Sequence, residues 1–128
     1  NKKVVSSYAA PLTYLYEPNA ALLKSGGFHH ISNQLKVFKL HQHSHLYTSE
    51  NLINFPGRTF KIETIISYDK KQISKLVSSK KANITTRNFP KTVAQIRLET
   101  KIKDGGTLFL FFTTNNDGKF IVIFCSKL

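Results

Sequence analysis

Lys70 and Lys71 directly follow Asp69, a residue type that opens helices by accepting amide hydrogens left unpaired in the first turn. Cations in a first turn oppose the helix dipole, at a cost of about 0.3 kcal/mol or more each. A helix start that keeps two lysines can use them, with its free amides, to receive a phosphate; alternatively their stems splay into water and hold nothing. Lys80, Lys81, Arg87, Lys91 and Arg97 extend the same cationic run. Arg87 stands where a strand should end, shortly before Pro90, and a guanidinium there can grip a phosphate through two parallel hydrogen bonds. A salt bridge or a loop carbonyl would occupy it equally well.

Between residues 70 and 103 there are ten basic side chains and one acid, Glu99. Over the whole chain 19 Lys and Arg oppose seven Asp and Glu, a formal charge of +12. The excess is uneven: residues 1–56 hold five basic and two acidic side chains (+3), residues 57–128 fourteen and five (+9). A field of this size favours a polyanionic partner, and the lopsided distribution points to nucleic acid.

Other chemistries find less support. His41, His43 and His45 alternate, which on a strand would put all three on one face, as zinc sites sometimes do. With no fourth-ligand pattern and Cys125 far away in sequence, a solvated strand face or loop is the expectation, and no metal is assigned. No glycine-rich phosphate loop follows a strand, no Ser-His-Asp or Cys-His context can be argued, and the acids are too scattered to nominate a carboxylate pair. No catalytic residue is therefore named. Asn83-Ile84-Thr85 matches the glycosylation tripeptide, an accidental match in a chain without a visible signal peptide. Tyr14, Tyr16, Tyr47 and Tyr68 could stack on bases, although such tyrosines are more often half-buried sheet residues. The lone Cys125 falls in an apolar run and reads as inert packing, consistent with a reducing cytoplasm. No apolar run approaches the roughly 20 residues that span a bilayer. The polar start and the lack of any Met read as a piece cut from a longer protein.

The elements that must position these residues centre on residues 107–114 (TLFLFFTT) and 119–126 (KFIVIFCS), joined by Asn115-Asn116-Asp117-Gly118. Asp-Gly between two β-rich runs is a hairpin signal, because both residues tolerate the positive φ of tight turns. Both faces of both strands are apolar, so the hairpin should lie centrally in a sheet covered on each side. Residues 59–68 read as a strand, with Phe60, Ile62, Thr64 and Ile66 on one side. A helix capped by Asp69, with Gln72 in the reciprocal position, carries Ile73, Leu76 and Val77 as its apolar stripe. Residues 82–86 form another strand. Thr92 and Gln95 open a helix over about residues 93–101, ended by Asp104-Gly105-Gly106. Residues 58–126 thus read β-α-β-α-β-β. Ahead of them lie a short strand at residues 13–17, helices at 20–25 and about 28–35, and extended runs at 37–40 and 46–48. Asn54-Phe55-Pro56-Gly57 is turn chemistry and the best internal boundary. The fold class is α+β, a mixed sheet with covering helices.

Residues 13–28 (TYLYEPNAALLKSGGF), 54–57 (NFPG), 88–90 (NFP) and 102–106 (IKDGG) carry a resemblance. The chain resembles the C-terminal region of a group of bacterial class I SAM-dependent methyltransferases. The resemblance implies a partial ferredoxin-like piece over residues 1–56 and a THUMP-like domain over 57–128. THUMP domains are RNA-binding modules attached to RNA-modifying enzymes. It therefore implies an RNA partner, tRNA or rRNA, presented to an upstream methyltransferase domain that uses S-adenosylmethionine. It assigns this segment neither a catalytic residue nor a cofactor of its own, since the SAM-binding motifs do not occur here. Phosphate contacts would fall to Lys70, Lys71, Lys80, Lys81, Arg87, Lys91 and Arg97. The alternative is an interaction module that packs on the methyltransferase domain or dimerises without binding nucleic acid.

Overall fold

A computed structural model of the chain describes residues 8–21 and 37–128. Seven strands form one sheet: β1 (Tyr14–Pro18), β2 (Phe38–Lys39), β3 (Tyr47–Ser49), β4 (Gly57–Ser67), β5 (Asn83–Arg87), β6 (Leu108–Thr114) and β7 (Phe120–Lys127), in the order β2-β3-β1-β4-β7-β6-β5. Two helices, α1 (Lys70–Leu76) and α2 (Val93–Thr100), flank β5 in sequence. Neighbours are antiparallel except β5 and β6, which run parallel. This is the mixed, helix-covered α+β sheet that the hydrophobic pattern predicts. Ala20 and Ala21 are helical; the remainder of the helix expected at 20–25, and the one at about 28–35, fall outside the described residues.

The β6–β7 hairpin is interior, as a pair apolar on both faces requires. Leu110, Phe112, Val122 and Phe124 pack with Ile73 of α1 and Val77 at its C-cap, Ile96 of α2, and Ala82 and Ile102. Phe111, Ile121, Ile123 and Cys125 pack on the opposite face with Leu15, Phe60, Leu40 and Leu46. A fully buried phenylalanine contributes about 2–3 kcal/mol of apolar transfer, and Phe60, Phe111 and Phe112 are all buried. The second face is closed by side chains from either end of the β2–β3 turn, anchored where the Ser44 hydroxyl donates to the Thr114 carbonyl (2.8 Å). In the hairpin turn, Gly118 takes φ +77° and the Asn115 side chain accepts from the amides of Asp117 and Lys119.

Strand β4 departs from simple alternation. Its register against β7 slips between Ile62 and Thr64. One extra residue moves every later side chain to the other face. Phe60 and Ile62 therefore join the turn-covered cluster, whereas Ile66 packs with the helix-covered one. The bulge lets a single strand serve both cores. The helices also differ from expectation in detail. Leu76 is not part of the α1 stripe; it is 47% exposed, while Ile73 and Val77 are buried. Helix α2 ends not at the glycines but at Lys101, a left-handed cap with φ +65° whose amide donates to the Arg97 carbonyl. The Thr92–Gln95 capping box forms as read from the sequence.

The boundary at residues 54–57 is not a hinge. Across it β1 and β4 pair from Tyr14–Lys61 to Pro18–Gly57, and Phe55 is buried between the rings of Tyr16 and Tyr47. Glu17 of β1 is buried and receives two guanidiniums, Arg58 at 2.6 Å and Arg87 from the far edge strand. Glu17 and Arg87 lie four strands apart in the sheet order, so the sheet curls until β1 meets the edge strand β5. Breaking a buried ion pair costs about 3–5 kcal/mol, but each guanidinium is a third or more exposed, which reduces this towards the surface value. Glu17→Gln is expected to lower unfolding stability by about 2 kcal/mol, read from the urea midpoint at constant m-value. A change below about 0.5 kcal/mol would show that the triad is cosmetic.

Candidate nucleic-acid interface

The helices lie on one face of the sheet, and that layer carries the basic run. Asp69 caps α1: its Oδ1 accepts from the amides of Lys71 (3.0 Å) and Gln72 (3.2 Å). Two of the first-turn amides are thus spent on the Asp69 cap, and the lysine side chains are the principal groups this helix start presents. Lys70, Lys71, Lys75 and Lys80 line one shallow cleft together with Ser74 and Glu99. Lys75 joins this group although it was not among the expected contacts; as residue i+4 from Lys71 on a helix it was within reach of a face argument. The Lys80 Nζ rests 2.9 Å from the Ser74 carbonyl. Its left-handed backbone (φ +61°) turns the chain sharply after α1. The exposed Lys81 follows, in a parallel bridge with Lys103.

The other three expected contacts are already engaged. Arg87 pairs with Glu17 and donates to the Thr86 carbonyl. Arg97 is built into its surroundings, donating to the carbonyls of Ile102 (3.2 Å) and Ala82 (3.1 Å) and to Asp104 (3.1 Å). Lys91 Nζ donates to Glu99 Oε1 at 2.6 Å and lies 5.4 Å from the centre of the Tyr68 ring. The hydrogen bond to Glu99 raises the Lys91 pKa above its ordinary value, and the same bond holds the Glu99 carboxyl below its own. Seven cations read as one run in sequence thus divide into four lysines without a carboxylate partner and three residues that have one.

Tyr68 extends this surface. Its hydroxyl donates to Glu99 Oε1 (3.1 Å), and burial raises its pKa. Its ring belongs to an edge-to-face cluster with Phe89 and Phe112. Of the other tyrosines that the sequence nominated, Tyr16 and Tyr47 are fully buried and offer no open ring face, and Tyr14 is half-buried. His41, His43 and His45 fall on the β2–β3 turn, not on a strand; His41 Nδ1 accepts from the His43 amide (3.0 Å). No group of three or more His, Cys, Asp or Glu side chains suited to a metal occurs among the described residues. Cys125 is fully buried, and desolvation pushes its thiol up to about 12. Asn83 spends its side-chain amide on the carbonyls of Gly106 and Leu108. Among the described residues no helix is long and apolar enough to cross a membrane.

Comparison with known proteins agrees with this architecture. A ferredoxin-like domain family matches residues 14–56, and a THUMP domain-like family matches residues 57–127. The curated proteins yield no match. A solved structure, described as a candidate methyltransferase from Porphyromonas gingivalis W83, is 40% identical with a TM-score of 0.88. The alignment covers 98% of this chain and 32% of that one, so this chain spans about a third of its neighbour's length. The chain belongs to the THUMP domain-like family, its THUMP-like part preceded by a ferredoxin-like domain.

Proposed function

We propose that this chain binds RNA through the lysines of its helical layer and positions it for a methyltransferase domain. The observation that carries this reading is the cleft where Lys70, Lys71, Lys75 and Lys80 converge. THUMP domain-like membership and the methyltransferase description of the 40%-identical neighbour supply the context. The lysines act on RNA as point charges, holding phosphates in register without reading sequence. Lys81 extends the track beyond the cleft. Arg87 and Arg97 hold the fold and leave the phosphates to the lysines. The methyl donor would be S-adenosylmethionine, held by a separate catalytic domain.

Four phosphate contacts on a single strand give a log–log salt slope near −3, because each neutralised phosphate releases counterions. Raising salt from about 50 to about 200 mM is therefore expected to weaken binding roughly fiftyfold. A filter-binding titration with a tRNA pool and with a short single-stranded RNA measures it. A flat response, or no binding at low salt, would overturn the reading in favour of a protein-interaction module.

A further inference from the structure

We infer that Phe120 is a stacking platform for an unpaired base of the bound RNA strand. The inference rests on the RNA-binding reading above and deepens it, since lysines alone hold phosphates but do not distinguish a splayed strand from a duplex.

Phe120 opens β7 opposite Thr114, and its carbonyl accepts the Tyr68 amide at 3.0 Å. That bond ties the hairpin to the β4–α1 junction, two residues before Lys70. Phe112 is fully buried. Phe89 stands edge-on to it, with ring centres 5.5 Å apart, and Phe120 stands edge-on to Phe89 at 5.5 Å. The rings thus run from the core outward, and the outermost is 46% exposed. Edge-to-face packing fixes a ring in orientation, so Phe120 presents an ordered aromatic surface.

An isolated exposed apolar side chain is ordinary and asks for no explanation. Leu98 is more exposed still, at 73%, and shares no ring contact. Phe120 differs by its support and by its charge setting. Lys91 Nζ lies 5.4 Å from the centre of the Tyr68 ring, and Tyr68, like Phe120, stands edge-on to Phe89. Two nearby carboxylates are committed: Asp69 caps α1, and Glu99 holds Lys91 and Tyr68. An aromatic face on a ring cluster that also meets a lysine suits a strand whose base stacks while its phosphates are held alongside, and it suits any of the four bases because each has a π-face.

The test uses the 128-residue chain, a short single-stranded RNA carrying 2-aminopurine, and the same RNA annealed to its complement. Phe120→Ala is expected to weaken single-strand binding about tenfold and to abolish the fluorescence quenching that stacking causes. The salt slope should stay unchanged, since no phosphate contact is lost, and so should affinity for the duplex. Phe120→Tyr keeps the ring and should stay within about twofold of the parent. Thermal melting confirms that both variants fold. If the parent binds the single strand with the steep salt slope but Phe120→Ala binds equally well, the platform is wrong and the lysine reading survives. If the parent binds neither RNA, both fall together.

Discussion

Replacing Lys71 and Lys75 together by glutamate is expected to lower RNA affinity at least a hundredfold near 0.1 M salt. Counterion release makes each phosphate contact worth about 1 kcal/mol under these conditions, so losing two costs about 2 kcal/mol. The two carboxylates then repel the backbone by a comparable amount. The fold should tolerate the change. Both side chains are exposed. A glutamate at 71 sits near the positive end of α1 and one at 75 near the negative end, so their dipole effects of about 0.3–1 kcal/mol oppose each other. Arg87→Gln is the informative companion. Its guanidinium is spent on Glu17, so it should change affinity by less than about twofold while lowering stability. Filter binding reads the first effect and urea unfolding the second. A double reversal without effect on binding would remove the lysine cleft from the interface.

The largest stability effect is expected at Gly57. A Cβ built there would stand 2.0 Å from the Glu17 carbonyl oxygen and 2.9 Å from its carbon, and φ is +154°. The obstacle is backbone, not the end of a flexible side chain, so β1 and β4 must separate locally. Overpacking and an unfavourable φ together place Gly57→Ala at about 3 kcal/mol or more of destabilisation. Because β1 pairs with β4 across the family boundary, the loss should appear as one cooperative shift and not as melting of the first 56 residues alone. Two resolved transitions in urea, with only one of them moved, would contradict a shared sheet.

Short-range signals were the legible ones. The hairpin announced itself because residues 108–112 and 120–124 are apolar on alternate as well as adjacent positions, which only a doubly covered strand needs. Thr92 and Gln95 sit three apart and form their reciprocal cap. The Asp69 cap is equally local, and its carboxylate takes the amides of Lys71 and Gln72, leaving the lysine side chains as the main donors to a phosphate there. What stayed hidden depends on distant partners. The ten-to-one charge ratio of residues 70–103 overstates the open cations, because Arg87 finds its acid 70 positions earlier at Glu17 and Arg97 finds one just past the window at Asp104. The slip at β4 was invisible for a similar reason. Alternation along residues 59–68 falters only where Thr64 is followed by Ile65 and Ile66, and the different covers over the two ends of that strand decide that Phe60 and Ile66 face apart. The cover over the second face, residues 40 and 46 flanking a histidine-bearing turn, carries no periodicity that would reveal it.

The ladder from β2 to β5, interrupted only by the slip in β4, has a mechanical corollary. Paired strand amides yield little to stretch or shear, so the lysine cleft keeps a set distance from β2. A polymer gripped on the helices would be held at that distance from anything docked along the β2 margin, as a ruler fixes two marks. Precision in where the strand is delivered would then come from the rigidity of the gauge and not from any motion within it.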